Sequence, residues 1–432
     1  MSSSRQAARP SIPKAAGKAT RPRRHMETTL IHGDSQEHYP HGATLPPVMY
    51  SASFAYDSAE AMEEVFAGRQ EGAVYSRIAN PSVQALETRI TAACAARGTV
   101  ALASGMAAVT LALLGLLKAG DELIASRLLF GGTYTLLHKT FAGLGITVHS
   151  VNPEQPGEAA ALVNARTRAV YLEAIANPAM TVPDLAGWRA LCDRHGLALV
   201  LDATLLTPVL YDRERCPVDV AVFSASKYLA GAASVIGGLV VDTGRMDWLG
   251  SAALDFSDYR PSGEFAFLNR LRKRLMFDVG PTLAPLNAFL LQTGMESLAL
   301  RMARHCENTQ AVAEFLAGHP KVKRVYYPGL PTHPQHALCL SQYGGRASGV
   351  LSFCMADKAA CFRFLDALRL TRRVTNVGDT KTIALHPAST IYATFWKHEQ
   401  EQAGVGEDMI RLSVGIEHVE DILEDLAQAL SA

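Results

Sequence analysis

The sequence predicts an α/β fold: a mostly parallel central sheet with helices on both faces, followed by a smaller C-terminal α+β domain. Two observations carry this. From about residue 98 to 245, short apolar runs alternate with helical patterns, the rhythm of a parallel sheet covered by helices. After about residue 285 that rhythm gives way to one long helical run and isolated strands. Composition agrees: 432 residues, 48% apolar and 19% charged, are ordinary for a globular chain and leave no room for a collagenous, coiled-coil or disordered reading.

The elements follow in order. Residues 1–25 hold seven basic residues and no acid among Ser, Ala and Pro, a disordered basic extension with little to bury. Pro10, Pro13 and Pro22 argue against an amphipathic transit helix. Residues 26–90 read as an irregular arm, with Pro46-Pro47 and Asn80-Pro81 marking extended or turning backbone. No residue from Gly98 to Leu117 is charged, long enough to span a bilayer, but Ser104-Gly105 divides it into a β-like run (Val100 to Ala103) and a helical one (Met106 to Leu117). Strands are expected at Glu122–Ser126, Ile146–Val151, Ala169–Ile175, Ala198–Asp202, Val220–Ser224 and Leu239–Asp242, with helices over 131–143, 158–165 and 184–195. Beyond them come a helical run from Pro285 to Leu316, strands at Val322–Tyr327, Val350–Met355 and Ile410–Val414, and a last helix at Val419–Leu430. The domains are thus 1–25, 26–90, 91–285 and 286–432.

Equal numbers of basic and acidic residues, 41 each, give no reason to expect nucleic acid or a membrane as partner. Seven scattered cysteines without a C-x-x-C point to a reducing compartment, the cytoplasm, and away from a zinc site.

Two strand ends carry chemistry. The run Asp219 to Ser226 ends in two hydroxyls and Lys227, and the run Leu197 to Leu201 ends in Asp202. Alone, Lys227 reads as a solvated loop lysine. Open parallel sheets, however, bind ligands beyond the carboxyl ends of their strands, so the pair can face one cofactor. A lysine to bind an aldehyde and an aspartate to keep a pyridine nitrogen protonated are what pyridoxal phosphate requires. Ser104-Gly105-Met106 opens a helix after a strand and offers free N–H groups to a phosphate; Ser224 and Ser226 can add donors. Alone, Ser104 is a plain N-cap.

Separated motifs in one order extend the pattern: Tyr75-Ser76-Arg77-Ile78-Ala79-Asn80-Pro81, Ser104-Gly105-Met106-Ala107-Ala108, Phe130-Gly131-Gly132-Thr133-Tyr134, Glu173-Ala174-Ile175-Ala176-Asn177-Pro178, Ser224-Ala225-Ser226-Lys227-Tyr228, Asn376-Val377-Gly378-Asp379, His386-Pro387-Ala388-Ser389 and Ile410 to Glu417. Through them the chain, from about Thr28 to Leu430, resembles the cysteine/methionine-metabolism family of pyridoxal-phosphate enzymes of fold type I, and within it the O-acetylhomoserine sulfhydrylases. The resemblance implies Lys227 as the cofactor-bearing lysine and Asp202 as partner of the ring nitrogen. It implies Phe130 against the ring, Asn177 at the ring oxygen, and Ser104, Gly105, Met106, Ser224 and Ser226 around the phosphate. Tyr75 and Arg77, from the arm of a neighbouring subunit, complete that cradle, which implies a homodimer or homotetramer with shared sites. Arg411 grips the substrate carboxylate, with Asn376 and Tyr75 as further substrate-binding residues.

The implied reaction belongs to sulfur amino-acid metabolism and methionine biosynthesis. It is γ-replacement on an O-acylated homoserine, O-acetylhomoserine favoured, by sulfide or a thiol, giving homocysteine or a thioether amino acid. Gly132, where methionine γ-lyases carry a cysteine, Asn376, and Leu239 to Asp242 with Met246-Asp247-Trp248 favour the sulfhydrylases. A C–S lyase of methionine or cystathionine γ-lyase type and a paralogue with another nucleophile are the alternatives, and a non-catalytic binding protein is a third reading. The chain departs from the family pattern at Phe130 (usually tyrosine), Ala203 (usually asparagine), Ala232 (in an expected G-H-G stretch) and Tyr392 (usually histidine).

Overall fold

Seven strands form the main sheet: β1 (Gly98–Leu102), β2 (Glu122–Ser126), β3 (Thr147–Val151), β4 (Thr167–Glu173), β5 (Ala198–Asp202), β6 (Val220–Ser224) and β7 (Gly238–Asp242). The computed structural model describes residues 24–33, 39–70 and 72–432; most of the basic extension expected at 1–25 lies outside them. The strand order is β1-β7-β6-β5-β4-β2-β3. From β6 through β3 every neighbouring pair is parallel, whereas β7 runs antiparallel to both β1 and β6. The sheet is therefore mostly parallel, as expected. The central strands β5 and β6 are almost wholly apolar because both faces of the sheet are covered: Leu199, Leu201, Ala221 and Phe223 face one apolar cluster, Val200, Val220 and Val222 another.

A second sheet of five strands has the order β10-β11-β12-β9-β8, with β8 (Arg324–Tyr326), β9 (Val350–Cys354), β10 (Arg372–Arg373), β11 (Ile383–Leu385) and β12 (Met409–Ser413). The helical run from Pro285 is two helices, Pro285–Glu296 and Leu298–Ala317, broken at Ser297. The arm is less irregular than its composition suggests. It contains helices at Met26–His32, Ala59–Phe66 and Pro81–Ala93. Asn80-Pro81, which reads as turning backbone, starts the last of these: the Asn80 side chain accepts the Ser82 N–H and proline occupies the first turn, where its missing N–H costs nothing. Among the described residues no helix is long and apolar enough to cross a membrane; the uncharged stretch at 98–117 is β1, a turn and the buried helix Gly105–Leu114.

Candidate active site

The carboxyl ends of β4, β5 and β6 carry Glu173, Asp202 and Ser224, and Lys227 follows in the turn after β6. β1 leads through Ser104 into the helix Gly105–Leu114 at the same edge. The convergence depends on two glycines. A Cβ on Gly105 would lie 2.6 Å from Ser224 Cβ, and one on Gly238 would lie 2.0 Å from the Ser104 carbonyl oxygen, so only glycine lets these backbones approach so closely.

They border a cavity of about 820 Å³. Its walls bring together the sequence-expected Ser104, Gly105, Met106, Phe130, Asn177, Asp202, Ser224, Ser226, Lys227, Asn376 and Arg411. Tyr75 and Arg77 are not among them. The Arg77 guanidinium lies 4.9 Å from the Phe277 ring centre and 5.5 Å from that of Tyr75, and Tyr75 is exposed. Of the four departures from the family pattern only Phe130 faces the cavity. Ala203 is buried, Ala232 exposed, and Tyr392 fully buried behind the wall.

At one end, Lys227 Nζ donates to Asn376 Oδ1 at 2.7 Å. Burial and then the Arg411 charge hold the Lys227 amine below its usual pKa. Arg411, on β12, is buried, and its Nη1 and Nη2 donate to Asn177 Oδ1 (3.3 Å) and the Asn376 carbonyl (2.8 Å), both neutral. Its Nε has no hydrogen-bond partner among the described residues. Burial brings the guanidinium down to about 10. A buried guanidinium with a spare donor is built to receive an anion, and a carboxylate matches its fork.

At the other end, Ser104 caps its helix, as the plain reading has it: Oγ accepts the Ala107 N–H at 3.1 Å and its carbonyl that of Ala108 at 3.0 Å. This leaves the N–H groups of Gly105 and Met106 for a ligand. Ser226 Oγ is engaged with Gly237, accepting its N–H at 3.0 Å. In the same cavity wall, Asp202 Oδ1 accepts the Thr204 N–H at 2.9 Å, and the Tyr171 hydroxyl donates to Oδ2 at 3.4 Å. Burial raises the Asp202 carboxyl against those bonds, so a cation beside it would be well received.

The set suits pyridoxal phosphate. A half-buried amine can bind its aldehyde, a carboxylate can face its ring nitrogen, and open N–H groups at a helix start can hold its phosphate.

Sequence reasoning gave no role to Glu173, which lines the cavity and is buried. Its carboxylate accepts the N–H of Phe130 (2.6 Å) and of Asn177 (3.2 Å). Burial, then the Asp202 charge, raises its pKa. The signal was present, since a carboxylate ends the apolar run of β4 just as Asp202 ends that of β5.

Comparison with known proteins agrees with this geometry. An O-acetyl-L-homoserine sulfhydrylase of Leptospira meyeri is 35% identical over 426 residues, spanning 94% of this chain and 96% of that protein. O-acetyl-L-homoserine sulfhydrylase 1 of Thermus thermophilus is 37% identical over 94% of this chain and all of its own length. The L-methionine gamma-lyase of Pseudomonas putida is 36% identical over 93% of this chain and 96% of its own. A Campylobacter jejuni structure named for O-acetylhomoserine (thiol)-lyase and holding N'-pyridoxyl-lysine-5'-monophosphate superposes with a TM-score of 0.90 at 29% identity, over 94% of this chain and all of that one. Residues 27–431 match the family described as Cys/Met metabolism PLP-dependent enzyme. With cavity, donors and sequence in accord along nearly its whole length, the chain belongs to the Cys/Met metabolism PLP-dependent enzymes.

Proposed function

We propose that the chain catalyses γ-replacement on an O-acylated homoserine, O-acetylhomoserine favoured, with sulfide or a thiol as nucleophile. The observation that carries this is the buried Arg411, with its spare Nε, joined through Asn376 to the Lys227 amine. Together they fit the two ends of an α-amino acid: carboxylate on the guanidinium, Cα beside the amine. Pyridoxal phosphate supplies the aldehyde that takes the amino group and a ring that draws electrons from Cα when its nitrogen is protonated. Asp202 keeps that nitrogen protonated. Gly105, Met106, Ser224 and Ser226 hold the phosphate, and Tyr75 and Arg77 of a neighbouring subunit complete the cradle. The lowered pKa of Lys227 suits its amine to take a proton from Cα and return it. Asn177 and Asn376 keep Arg411 oriented, and the Phe130 ring offers a face for stacking.

Gly132 supports replacement over elimination. A Cβ there would come within 2.7 Å of the Phe130 ring and 3.5 Å of Met106 Sδ, so the cysteine that the resemblance associates with methionine γ-lyases fits only if the Phe130 ring moves. The test is product analysis with O-acetylhomoserine, with and without sulfide or methanethiol. Homocysteine or methionine that depends on the nucleophile is the expected result. An α-keto acid and ammonia formed at the same rate without nucleophile would replace this reading with the lyase.

A further inference from the structure

Both polar atoms of the peptide joining Leu129 to Phe130 are held from opposite sides. The Phe130 N–H donates to Glu173 Oε1 at 2.6 Å, and the Leu129 carbonyl accepts from the Tyr392 hydroxyl at 2.6 Å. The same two side chains reach Asn177: its N–H donates to Glu173 Oε2 at 3.2 Å, and its carbonyl oxygen lies 3.3 Å from the Tyr392 hydroxyl. The single hydroxyl proton belongs to the shorter contact, with Leu129. Glu173 ends β4 in the large domain. Tyr392 belongs to a small apolar cluster with Ala388, Ala403 and Val405, packed by Ile391 and Phe395, and Gln400 Nε2 donates to its carbonyl at 2.9 Å. The Glu173 and Tyr392 side chains are buried, and the bond from Tyr392 to the Leu129 carbonyl is wholly shielded from bulk water while the other bonds are partly shielded.

We propose that Glu173 and Tyr392 act as a two-sided clamp: positioning residues that fix Phe130 and Asn177 relative to each other, and with them the slot for the cofactor ring. The inference rests on the pyridoxal-phosphate reading of the site. The polarity is complementary, because the Glu173 oxygens accept backbone N–H groups and the Tyr392 hydroxyl donates to a backbone carbonyl. A peptide held at both its N–H and its C=O cannot rotate without breaking a buried hydrogen bond. Tyr392, one of the departures from the family pattern, thereby gains a role although it does not face the cavity.

Glu173→Gln keeps one acceptor but turns an amide NH2 toward the other N–H donor. Tyr392→Phe keeps the ring and removes only the hydroxyl. In each purified variant, reloaded with pyridoxal phosphate, cofactor dissociation is measured together with the visible circular dichroism of the bound cofactor, which reports a fixed ring orientation. The clamp predicts a dissociation constant raised roughly tenfold, weaker dichroism per bound cofactor, and a double variant little worse than the worse single one, because both act on the same slot. Wild-type dichroism and affinity in Tyr392→Phe would overturn it, as would a change confined to the unfolding midpoint. If Glu173→Gln does not fold, Tyr392→Phe decides alone. Neither readout depends on the γ-substituent or the nucleophile, so wild-type protein that binds cofactor but makes no homocysteine would refute the proposed reaction and leave the clamp standing.

Discussion

At the residue scale the account turns on Arg411. A buried guanidinium whose partners are neutral amide oxygens is stable only because each is a good acceptor, and its spare Nε awaits an anion. Lysine cannot reproduce that fork. Arg411→Lys should therefore lower kcat/KM for O-acetylhomoserine roughly 10- to 100-fold, the worth of one charge-assisted hydrogen bond, with cofactor absorbance retained; steady-state kinetics would check this. Gly132→Cys should weaken cofactor binding by pushing the Phe130 ring and should not raise keto-acid release. A gain in keto acid without nucleophile would count against the steric argument. Lys227 and Asp202 were legible in the sequence because each follows an apolar strand, where a charged residue stands out. Glu173 follows one too, but its role lies in accepting the N–H groups of Phe130 and Asn177, 43 and 4 residues away along the chain, and no local pattern records such a partnership.

The elements were legible to the degree that periodicity reflects burial. β2, β5 and β6 have the expected bounds because their apolar runs are bounded by polar or turn residues. β10 and β11, two and three residues long, are too short for any period to register; β11 pairs along the edge of β12, and β10 pairs in turn along β11. The helix Pro81–Ala93 was missed because Asn-Pro signals both a turn and a capped helix start; the Leu86, Ile90 and Ala93 side chains, all buried, decide for the helix. One element also predicts a pH response. Glu122, opening β2, is held down at about 2 by hydrogen bonds from Asn164 and His149 and by Arg166. A carboxyl depressed in the folded state contributes stability above its unfolded pKa of about 4.3, and that contribution is lost as pH falls toward 2. Urea midpoints measured between pH 6 and pH 3 should fall more steeply for wild type than for Glu122→Gln. Parallel curves would show that the cluster around Glu122 does not couple to folding.

At the scale of the whole molecule, the cavity joins the large sheet, through Asp202 and Lys227, to the second sheet, through Arg411 on β12. Tyr75 and Arg77 remain outside it, which fits their proposed role in a neighbouring subunit. If each site draws on two chains, mixing Arg77→Ala with Lys227→Ala protein and allowing subunit exchange should restore about a quarter of wild-type activity, since half the dimers are hybrids with one intact site each. No recovery despite verified exchange would place both residues in the same chain's site. The central claim is that Lys227 carries the cofactor, and one measurement addresses it directly. The protein loaded with pyridoxal phosphate is reduced with borohydride, digested, and the pyridoxyl group located by peptide mass spectrometry. The account predicts a single labelled peptide modified at Lys227 and none in Lys227→Ala. Label on another lysine, or an undiminished label in that variant, would contradict it.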